Sequence, residues 1–382
     1  MNNNEPVDET RDLGLPIKVQ SRDPEAMKPA LTGLLQVEFP DRHNLRVTSV
    51  APPSGAGVNN ETMLIDMEWQ ADGQICAEGA VLRIDTPDNL FLEPHFPDHY
   101  RLYDVIRRGG YAPVPKVFGF NADESIFGRR FFFMQRMPGK VPADQPPFHA
   151  EGWVKDKSVG DRRAIWENAV RAMAALHTVK LDDVAFLDRP QSGRSGFEQE
   201  LTHFLHYMEV ALGGESHRVI EAGAQWLKDN LPGDMPTGFS WGDARPQNII
   251  FDGNEVSAVL DWDMASLAGA EADLAWWTLM SFSGTSSRGI PRLEGWGSPA
   301  ETIALWEDIA GRKARHMDYQ FVFTAFRGGV IVMRLAKMLI AKGQLPEASH
   351  YLRDNNHGIQ YLASLLGLEP MREDSLAWPG LD

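Results

Sequence analysis

The sequence predicts an α+β protein with two lobes, an N-terminal antiparallel β-sheet lobe and a larger, mainly α-helical C-terminal lobe. Segments rich in β-branched and aromatic residues lie mostly before residue 140, whereas apolar residues recur at helical spacing from residue 161 onward. The chain has 382 residues, which exceeds the size at which a single hydrophobic core usually stops growing. Two cores, one in each lobe, are therefore expected.

The lobes are separated at Pro138-Gly139, a dipeptide typical of breaks between structural elements. Residues 1–23 are polar, lack hydrophobic periodicity and are expected to form a mobile N-terminal segment. Residues 24–137 then make up the N-terminal lobe, and residues 138–382 make up the C-terminal lobe.

The N-terminal lobe is predicted to contain five strands, at 46–51, 62–69, 75–84, 114–120 and 130–139. The first three are expected to form an antiparallel sheet, with the second and third joined by Ala71-Asp72-Gly73.

A helix over residues 24–35 is expected to precede this sheet, with Asp23 as its N-cap. Pro29 should interrupt that helix unless the helix begins there.

The C-terminal lobe is predicted to be mostly helical. Its predicted helices are 164–179, 198–212, 219–231, 299–310, 317–342 and 348–366. The longest apolar segment, 321–339, contains Arg327, Arg334 and Lys337, so it predicts a buried amphipathic helix and not a membrane span.

A strand–turn–strand segment interrupts these helices at residues 249–260. If Phe251 faces Val256 across the turn, Asn248 falls opposite Val259, and Asp261 lies just beyond it at the open end of the hairpin. Mg²⁺ prefers oxygen ligands and takes one or two of them from protein when phosphate and water supply the rest. Asn248 and Asp261 are therefore the predicted metal ligands.

Asp243 lies five residues before Asn248, within reach of a hydroxyl group that approaches a bound phosphate. It is the predicted catalytic base, because an Asp-x-x-x-x-Asn loop followed by a strand and a second Asp is the catalytic pattern of protein kinases. Arg245, in the same loop, is predicted to neutralise charge on the transferred phosphoryl group.

These motifs resemble those of the aminoglycoside phosphotransferase and choline kinase group of small-molecule kinases, which includes kinase-like domains attached to some acyl-CoA dehydrogenases. The resemblance rests on Trp241-Gly242-Asp243, Asn248, Leu260-Asp261-Trp262-Asp263 and Ala272-Asp273-Leu274-Ala275, in that order. The family usually has His where this sequence has Trp241. The resemblance implies a protein-kinase-like fold, bound ATP or alternatively GTP, and Mg²⁺.

It also implies a nucleotide site in the N-terminal lobe. Gly55, Gly57 and Asn59 would belong to the loop over the phosphates, although a plain surface turn remains the alternative. Arg83 occupies the position of the strand Lys that grips the α- and β-phosphates in kinases, and the alternative is an exposed strand Arg. Its acidic partner is open: Glu93 and Asp98 are candidates.

By the same resemblance, Gln135 to Met137 form the hinge that would contact adenine. Met134 or Met137 would line the base pocket, with ordinary packing as the alternative for both methionines.

Asp263, Asp273 and His177 are expected to have structural roles, Asp263 and Asp273 through hydrogen bonds to the loop backbone.

The predicted function is therefore phosphoryl transfer to a hydroxyl group of a small molecule. The acceptor classes left open are aminoglycosides, choline-like alcohols, sugars and hydroxy acids. Asp263, Glu271 and Glu307 are either contacts for a cationic acceptor or ordinary surface charges. The alternative function is a pseudokinase, a nucleotide-binding regulatory module, because Trp241 and Arg83 depart from the family pattern.

Composition excludes several other classes of function. A formal net charge of −16 argues against nucleic-acid binding, and the single Cys76 excludes an internal disulfide or a multi-cysteine zinc site. The polar residues 1–22 do not resemble a signal peptide, so a cytoplasmic location without membrane association is expected. The protein is expected to be a monomer or a homodimer.

Overall fold

A computed structural model describes residues 22–53, 60–86, 89–92, 96–194 and 196–382. The described chain divides into two compact units, one ending at Pro138 and the other beginning at Gly139. The predicted α+β class is confirmed, since an antiparallel five-stranded sheet and a set of helices are both present.

The first unit contains two helices and one sheet. Its elements are α1 (Pro24–Glu38), β1 (His43–Ala51), β2 (Glu61–Ala71), β3 (Gln74–Ile84), α2 (Phe96–Gly109), β4 (Val117–Asn121) and β5 (Phe131–Gln135). The strand order is β1-β2-β3-β5-β4, and every neighbouring pair is antiparallel.

The β2–β3 hairpin shows how local sequence sets the register. Ala71 pairs with Gln74, so Asp72 and Gly73 form a two-residue turn. Both have positive φ, of 50° and 75°, which is the requirement of the turn type that matches the twist of paired strands.

Helix α1 packs against the sheet through Met27, Leu31 and Leu35, which all belong to the buried core of this unit. Asp23 accepts a hydrogen bond from the Glu25 N–H at 3.0 Å and is the N-cap, as predicted. The expected break at Pro29 is wrong, since the helix continues through it. Burial of the three apolar side chains offsets the one backbone hydrogen bond that proline removes.

The second unit is mainly helical with one small hairpin. Its elements are α3 (Val159–Leu176), α4 (Phe197–Leu212), α5 (Arg218–Asp229), β6 (Ile249–Asp252), β7 (Glu255–Val259), α6 (Ala270–Gly284), α7 (Pro299–Ala310), α8 (Met317–Ala341), α9 (His350–Asp354) and α10 (His357–Leu365). Short 3-10 turns lie at Leu181–Leu187, Pro190–Ser192, Pro246–Asn248 and Ser286–Arg288.

Helix α8 is the centre of this unit and packs against α4, α5, α6 and α10. It crosses α10 where two glycines meet: a Cβ added to Gly358 would lie 2.3 Å from the backbone nitrogen of Gly329. The predicted burial of this helix is confirmed. In the described parts of the chain, no helix combines the length and apolar character needed to cross a membrane.

Three helix predictions differ from the structure. Helix α2 (Phe96–Gly109) was not predicted. Residues 348–366 form two helices and not one, because Asn356 has extended backbone and its side chain caps the start of α10 by accepting from the Ile359 N–H. Helix α6 was not predicted, because both its apolar and its acidic residues are buried and no amphipathic stripe marks it.

We expect Gly358→Ala to lower the free energy of unfolding by about 1–3 kcal/mol, because the added methyl group overpacks the α8–α10 crossing. Urea unfolding followed by circular dichroism measures the change. Gly33→Ala is the matched control: this helical glycine has no described heavy atom within 4 Å of an added Cβ, and it should gain about 0.5–1 kcal/mol. Equal stability of the Gly358→Ala variant and the wild type would contradict the tight crossing.

Candidate active site

The β6–β7 hairpin carries the predicted metal ligands at its open end. Phe251 pairs with Val256 as predicted, but a bulge follows and Ile249, not Asn248, pairs with Val259. The predicted position of Asn248 opposite Val259 is therefore wrong by one residue. The carbonyl of Asn248 instead accepts a hydrogen bond from the Leu260 N–H at 2.9 Å, which keeps Asn248 next to the residues that lead into Asp261.

The loop between Ser240 and Asn248 turns sharply at Gly242. Its φ is +91°, and a Cβ at this position would lie 1.9 Å from the carbonyl oxygen of Met264. Only glycine fits such a close approach of two backbones. Gly242 therefore sets the direction in which the following Asp243 leaves the turn.

The carboxylate of Asp273 holds this loop. It is completely buried in the first turn of α6 and accepts hydrogen bonds from the Ser240 hydroxyl and the Gly242 N–H, both at 2.8 Å, and from the Trp241 N–H at 2.7 Å. His177 Nε2 supplies a fourth contact at 2.9 Å. The position of Asp273 near a helix N-terminus also favours its negative charge. These contacts agree with the structural role expected for Asp273.

The orientation of His177 is fixed by its other ring nitrogen. Trp306 Nε1–H donates to His177 Nδ1 at 2.8 Å, so the proton of the neutral ring lies on Nε2 and points to Asp273. His177 therefore supports the loop from behind, which is the structural role expected for it.

Trp241 occupies the position where the family usually has His. Its side chain is completely buried, and its indole N–H donates to the carbonyl oxygens of Leu260 at 2.9 Å and Asp261 at 3.0 Å. The indole thus ties the loop to the chain that leaves the hairpin.

Asp243 lies in a nearly closed ring of donors. Its Oδ2 accepts from Asn248 Nδ2 at 2.7 Å and from Arg245 Nε at 3.1 Å, while its Oδ1 accepts from Trp276 Nε1 at 2.7 Å. The carboxylate side chain is 14% exposed. A carboxylate has about four acceptor positions, so three donors fix its plane and still leave one position open.

Arg245 carries the positive charge of the loop. Its guanidinium contacts Asp144 Oδ2 at 2.8 Å in addition to Asp243. Burial by itself would lower the pKa of Arg245, but the carboxylates of Asp243, Asp144 and Asp261 outweigh burial and raise it. The guanidinium is therefore held permanently charged and lies in the electric field of all three carboxylates.

Asp261 follows β7 directly and has a φ of +64°, in the left-handed region. Asp tolerates this conformation better than most residues, because its short polar side chain can bond locally. The structure therefore brings together the four residues predicted for this unit: Asp243, Arg245, Asn248 and Asp261. In the described chain, no cluster of three or more His, Cys, Asp or Glu side chains is arranged as a metal site.

Two side chains at this site were missed by sequence reasoning, Asp144 and Trp276. Asp144 precedes Arg245 by 101 residues, and Trp276 follows Asp243 by 33 residues, so neither belongs to the loop motif. A signal for Trp276 does exist: it lies three residues after Asp273 on α6 and therefore on the same helix face.

In the first unit, Arg83 lies on β3 opposite Phe132, and its Nη1 donates to Thr62 Oγ1 at 3.2 Å. Gln135 ends β5, where its N–H donates to the Lys116 carbonyl at 2.8 Å, and Met137 is half-buried just beyond. The predicted phosphate-loop residues Gly55, Gly57 and Asn59 lie outside the described residues.

Of the two candidate acidic partners of Arg83, the structure describes only one. Glu93 lies outside the described residues, and Asp98 forms an ion pair with Arg101 at 3.3 Å.

Two of the acidic residues considered for a cationic acceptor are already paired. Glu271 is completely buried and accepts from Arg312, and Glu307 forms an ion pair with Lys313 at 2.6 Å. These contacts give both residues structural roles.

A family model and two solved structures place the chain in the same fold family. The model of the phosphotransferase enzyme family, APH, matches residues 72–307, which is more than half of the chain. A solved structure from Ralstonia eutropha, assigned to the aminoglycoside phosphotransferases, is 23% identical with a TM-score of 0.62 and covers 84% of this chain and 94% of that chain. A thermostable mutant of aminoglycoside phosphotransferase APH(4)-Ia, solved with ADP and hygromycin B, is 14% identical with a TM-score of 0.51. It covers 87% of this chain and 98% of that chain. These likenesses confirm the predicted fold.

The curated relatives are longer proteins. They include Probable acyl-CoA dehydrogenase IBR3 of Arabidopsis thaliana, 25% identical over 332 residues, and Acyl-CoA dehydrogenase family member 11 of Homo sapiens, 27% identical over 300 residues. The alignments cover 80% and 70% of this chain but only 38% and 37% of those proteins. The chain thus spans less than two fifths of the length of these relatives.

We expect Asp273→Asn to lower the free energy of unfolding by about 2–4 kcal/mol, because an amide nitrogen cannot accept the donors that converge on the carboxylate. Urea unfolding measures the loss. Asp252→Asn, an exposed residue at the turn of the β6–β7 hairpin, is the control and should stay within about 0.5 kcal/mol of the wild type. If the two variants are equally stable, Asp273 does not hold the loop.

Proposed function

The chain belongs to the phosphotransferase enzyme family, and we propose from the geometry around Asp243 that it transfers the γ-phosphoryl group of ATP to a hydroxyl group of a small molecule. The observation that carries this proposal is the hydrogen-bonded carboxylate of Asp243. Asn248 and Arg245 both donate to it, and the nearby charge of Asp261 helps to raise the pKa of Arg245. Phosphoryl transfer requires mainly positioning and charge stabilisation from the protein, and this arrangement supplies both.

In the proposed reaction, the acceptor hydroxyl oxygen forms a bond to the γ-phosphorus while the bond from that phosphorus to the β,γ-bridging oxygen breaks. ADP leaves with the bonding electron pair, and the hydroxyl proton passes to Asp243. Oδ2 of Asp243 already accepts two hydrogen bonds and Oδ1 accepts one, so Oδ1 is the oxygen that receives the proton.

Mg²⁺ fits the residues present. The Asn248 amide nitrogen donates to both the backbone and the side chain of Asp243, so the amide oxygen is the atom that would bind a cation. With the Asp261 carboxylate, it would supply the one or two protein oxygens that Mg²⁺ usually takes. When bound, the cation would neutralise charge on the phosphates, and Arg245 would contribute to the same task.

The nucleotide contacts are proposed from family resemblance. Arg83 would bind the phosphates in place of the usual Lys, and Gly55, Gly57 and Asn59 would cover them. Gln135 and Met137 would contact the base. Support comes from the related phosphotransferase that was solved with ADP. Assays with ATP and with GTP would distinguish the two nucleotides.

The acceptor is proposed to be a small molecule with a free hydroxyl group: an aminoglycoside-like compound, a choline-like alcohol, a sugar or a hydroxy acid. The alternative is a nucleotide-binding regulatory module without turnover. The presence of Arg83 where kinases have Lys favours this alternative. The indole contacts of Trp241 weigh against this alternative, because they provide a hydrogen-bonded support for the loop without the usual His.

We expect Asp243→Asn to reduce turnover by roughly 10²- to 10⁴-fold, because the variant cannot accept the hydroxyl proton. The measurement is ADP release with ATP, Mg²⁺ and a panel of hydroxyl-bearing acceptors, and Asp252→Asn is the matched control that should retain activity. Turnover equal to the wild type would remove Asp243 from its role. Nucleotide binding without turnover by the wild-type protein, across the whole panel, would support the regulatory module.

We expect Asp261→Ala to lose the part of nucleotide binding that depends on Mg²⁺, since one of the two proposed protein ligands is gone. Thermal unfolding with ATP, in the presence of Mg²⁺ or of a chelator, measures this part separately from the binding of ATP itself. A Mg²⁺-dependent shift as large in the variant as in the wild type would contradict the assignment of Asp261.

A further inference from the structure

Arg327 is a buried cation that the predicted active-site motifs do not include. It lies in the middle of α8, is 1% exposed, and donates through Nη2 to the carbonyl oxygen of Gly242 at 2.5 Å. Its Nη1 lies 3.7 Å from Glu200 Oε1. A buried charge requires partners of this kind, and here one partner is the backbone of the loop that precedes Asp243.

The guanidinium of Arg327 also lies over the ring of Trp276, with 4.5 Å from its central carbon to the ring centroid. The neighbouring Gly328 lets α6 approach this closely: a Cβ there would lie 2.8 Å from Leu279 Cδ2 and 3.8 Å from Trp276 Cζ3. The indole is thus held between α8 and the loop, and rotation of its ring would break the cation–π contact.

The held indole points its N–H at Asp243 Oδ1, 2.7 Å away. Oδ1 is the oxygen that the proposed mechanism assigns to the acceptor proton, whereas Asn248 and Arg245 occupy Oδ2. The loop motif fixes one oxygen of the base, and helix α6 fixes the other.

We propose that Trp276, braced by Arg327, is a positioning residue for phosphoryl transfer: its indole N–H orients the Asp243 carboxylate so that the remaining acceptor position of Oδ1 faces the hydroxyl group. This inference rests on the proposed function and adds a residue to it. Since Trp276 acts on the orientation of the base and not on nucleotide binding, its loss affects kcat and leaves the KM for ATP unchanged.

The test is Trp276→Phe, which keeps an aromatic ring next to Arg327 and removes the N–H donor together with one ring of the indole. We expect kcat to fall roughly 10- to 100-fold, the range for one hydrogen bond to a charged group, with the KM for ATP within about threefold of the wild type. Trp277→Phe, the same change at the next buried position of α6, is the matched control and should retain kcat.

A second measurement does not depend on turnover. The indole ¹H–¹⁵N signal of Trp276, identified by its absence in Trp276→Phe, is expected to shift in Asp243→Asn because the charged acceptor is lost. An unmoved signal would show that the hydrogen bond is absent in solution and would overturn the inference.

The outcomes separate this inference from the proposed function. If the wild type transfers phosphate, Asp243→Asn does not, and Trp276→Phe matches the wild type in kcat, the role of Trp276 is overturned while the proposed function stands. A higher KM for ATP with unchanged kcat in Trp276→Phe would also overturn the role of Trp276. If the wild type transfers phosphate to no acceptor, the proposed function and this inference both fall.

Discussion

One buried carboxylate organises the loop of this member of the phosphotransferase enzyme family. Asp273 has no exposed surface, and it accepts hydrogen bonds from two backbone N–H groups, a hydroxyl group and His177. Each hydrogen bond to a charged acceptor contributes about 1.5–3 kcal/mol, and a buried carboxylate without such donors would be strongly unfavourable. The loop backbone and the carboxylate therefore depend on each other. The sharp turn at Gly242, and with it the direction of Asp243, is stabilised by this mutual dependence.

Charge around the loop is balanced in two layers. On the exposed side, Arg245 faces Asp243 and Asp144, and its pKa is raised because these carboxylates and Asp261 outweigh its burial. On the buried side, Arg327 binds the Gly242 carbonyl. The side chain of Arg245 is 24% exposed and therefore within reach of a ligand, whereas that of Arg327 is 1% exposed. The cation proposed to act on the phosphate is thus partly exposed, whereas the cation that supports the loop backbone is buried.

Much of the site could be predicted from local spacing. The Asp-x-x-x-x-Asn interval places Asp243 and Asn248 on one short loop, and the hairpin returns the chain to Asp261 whatever its detailed register. The bulge between Ile250 and Phe251 was not predicted, because a register counted regularly from the turn leaves no place for an extra residue. Helix α6 was missed because the periodicity that marks a helix requires one exposed face, and nearly all of this helix is buried.

The sequence by itself determined the α+β class and the family, and it predicted the candidate site residues Asp243, Arg245, Asn248 and Asp261, because each of these follows from residue types at short separations. Only the tertiary structure decided what holds them. The indole of Trp276 and the carboxylate of Asp144 reach the loop from distant parts of the chain. Asp144 has no local sequence signal, and the spacing of Trp276 from Asp273 predicts a shared helix face but not the contact with Asp243, because both contacts depend on tertiary packing.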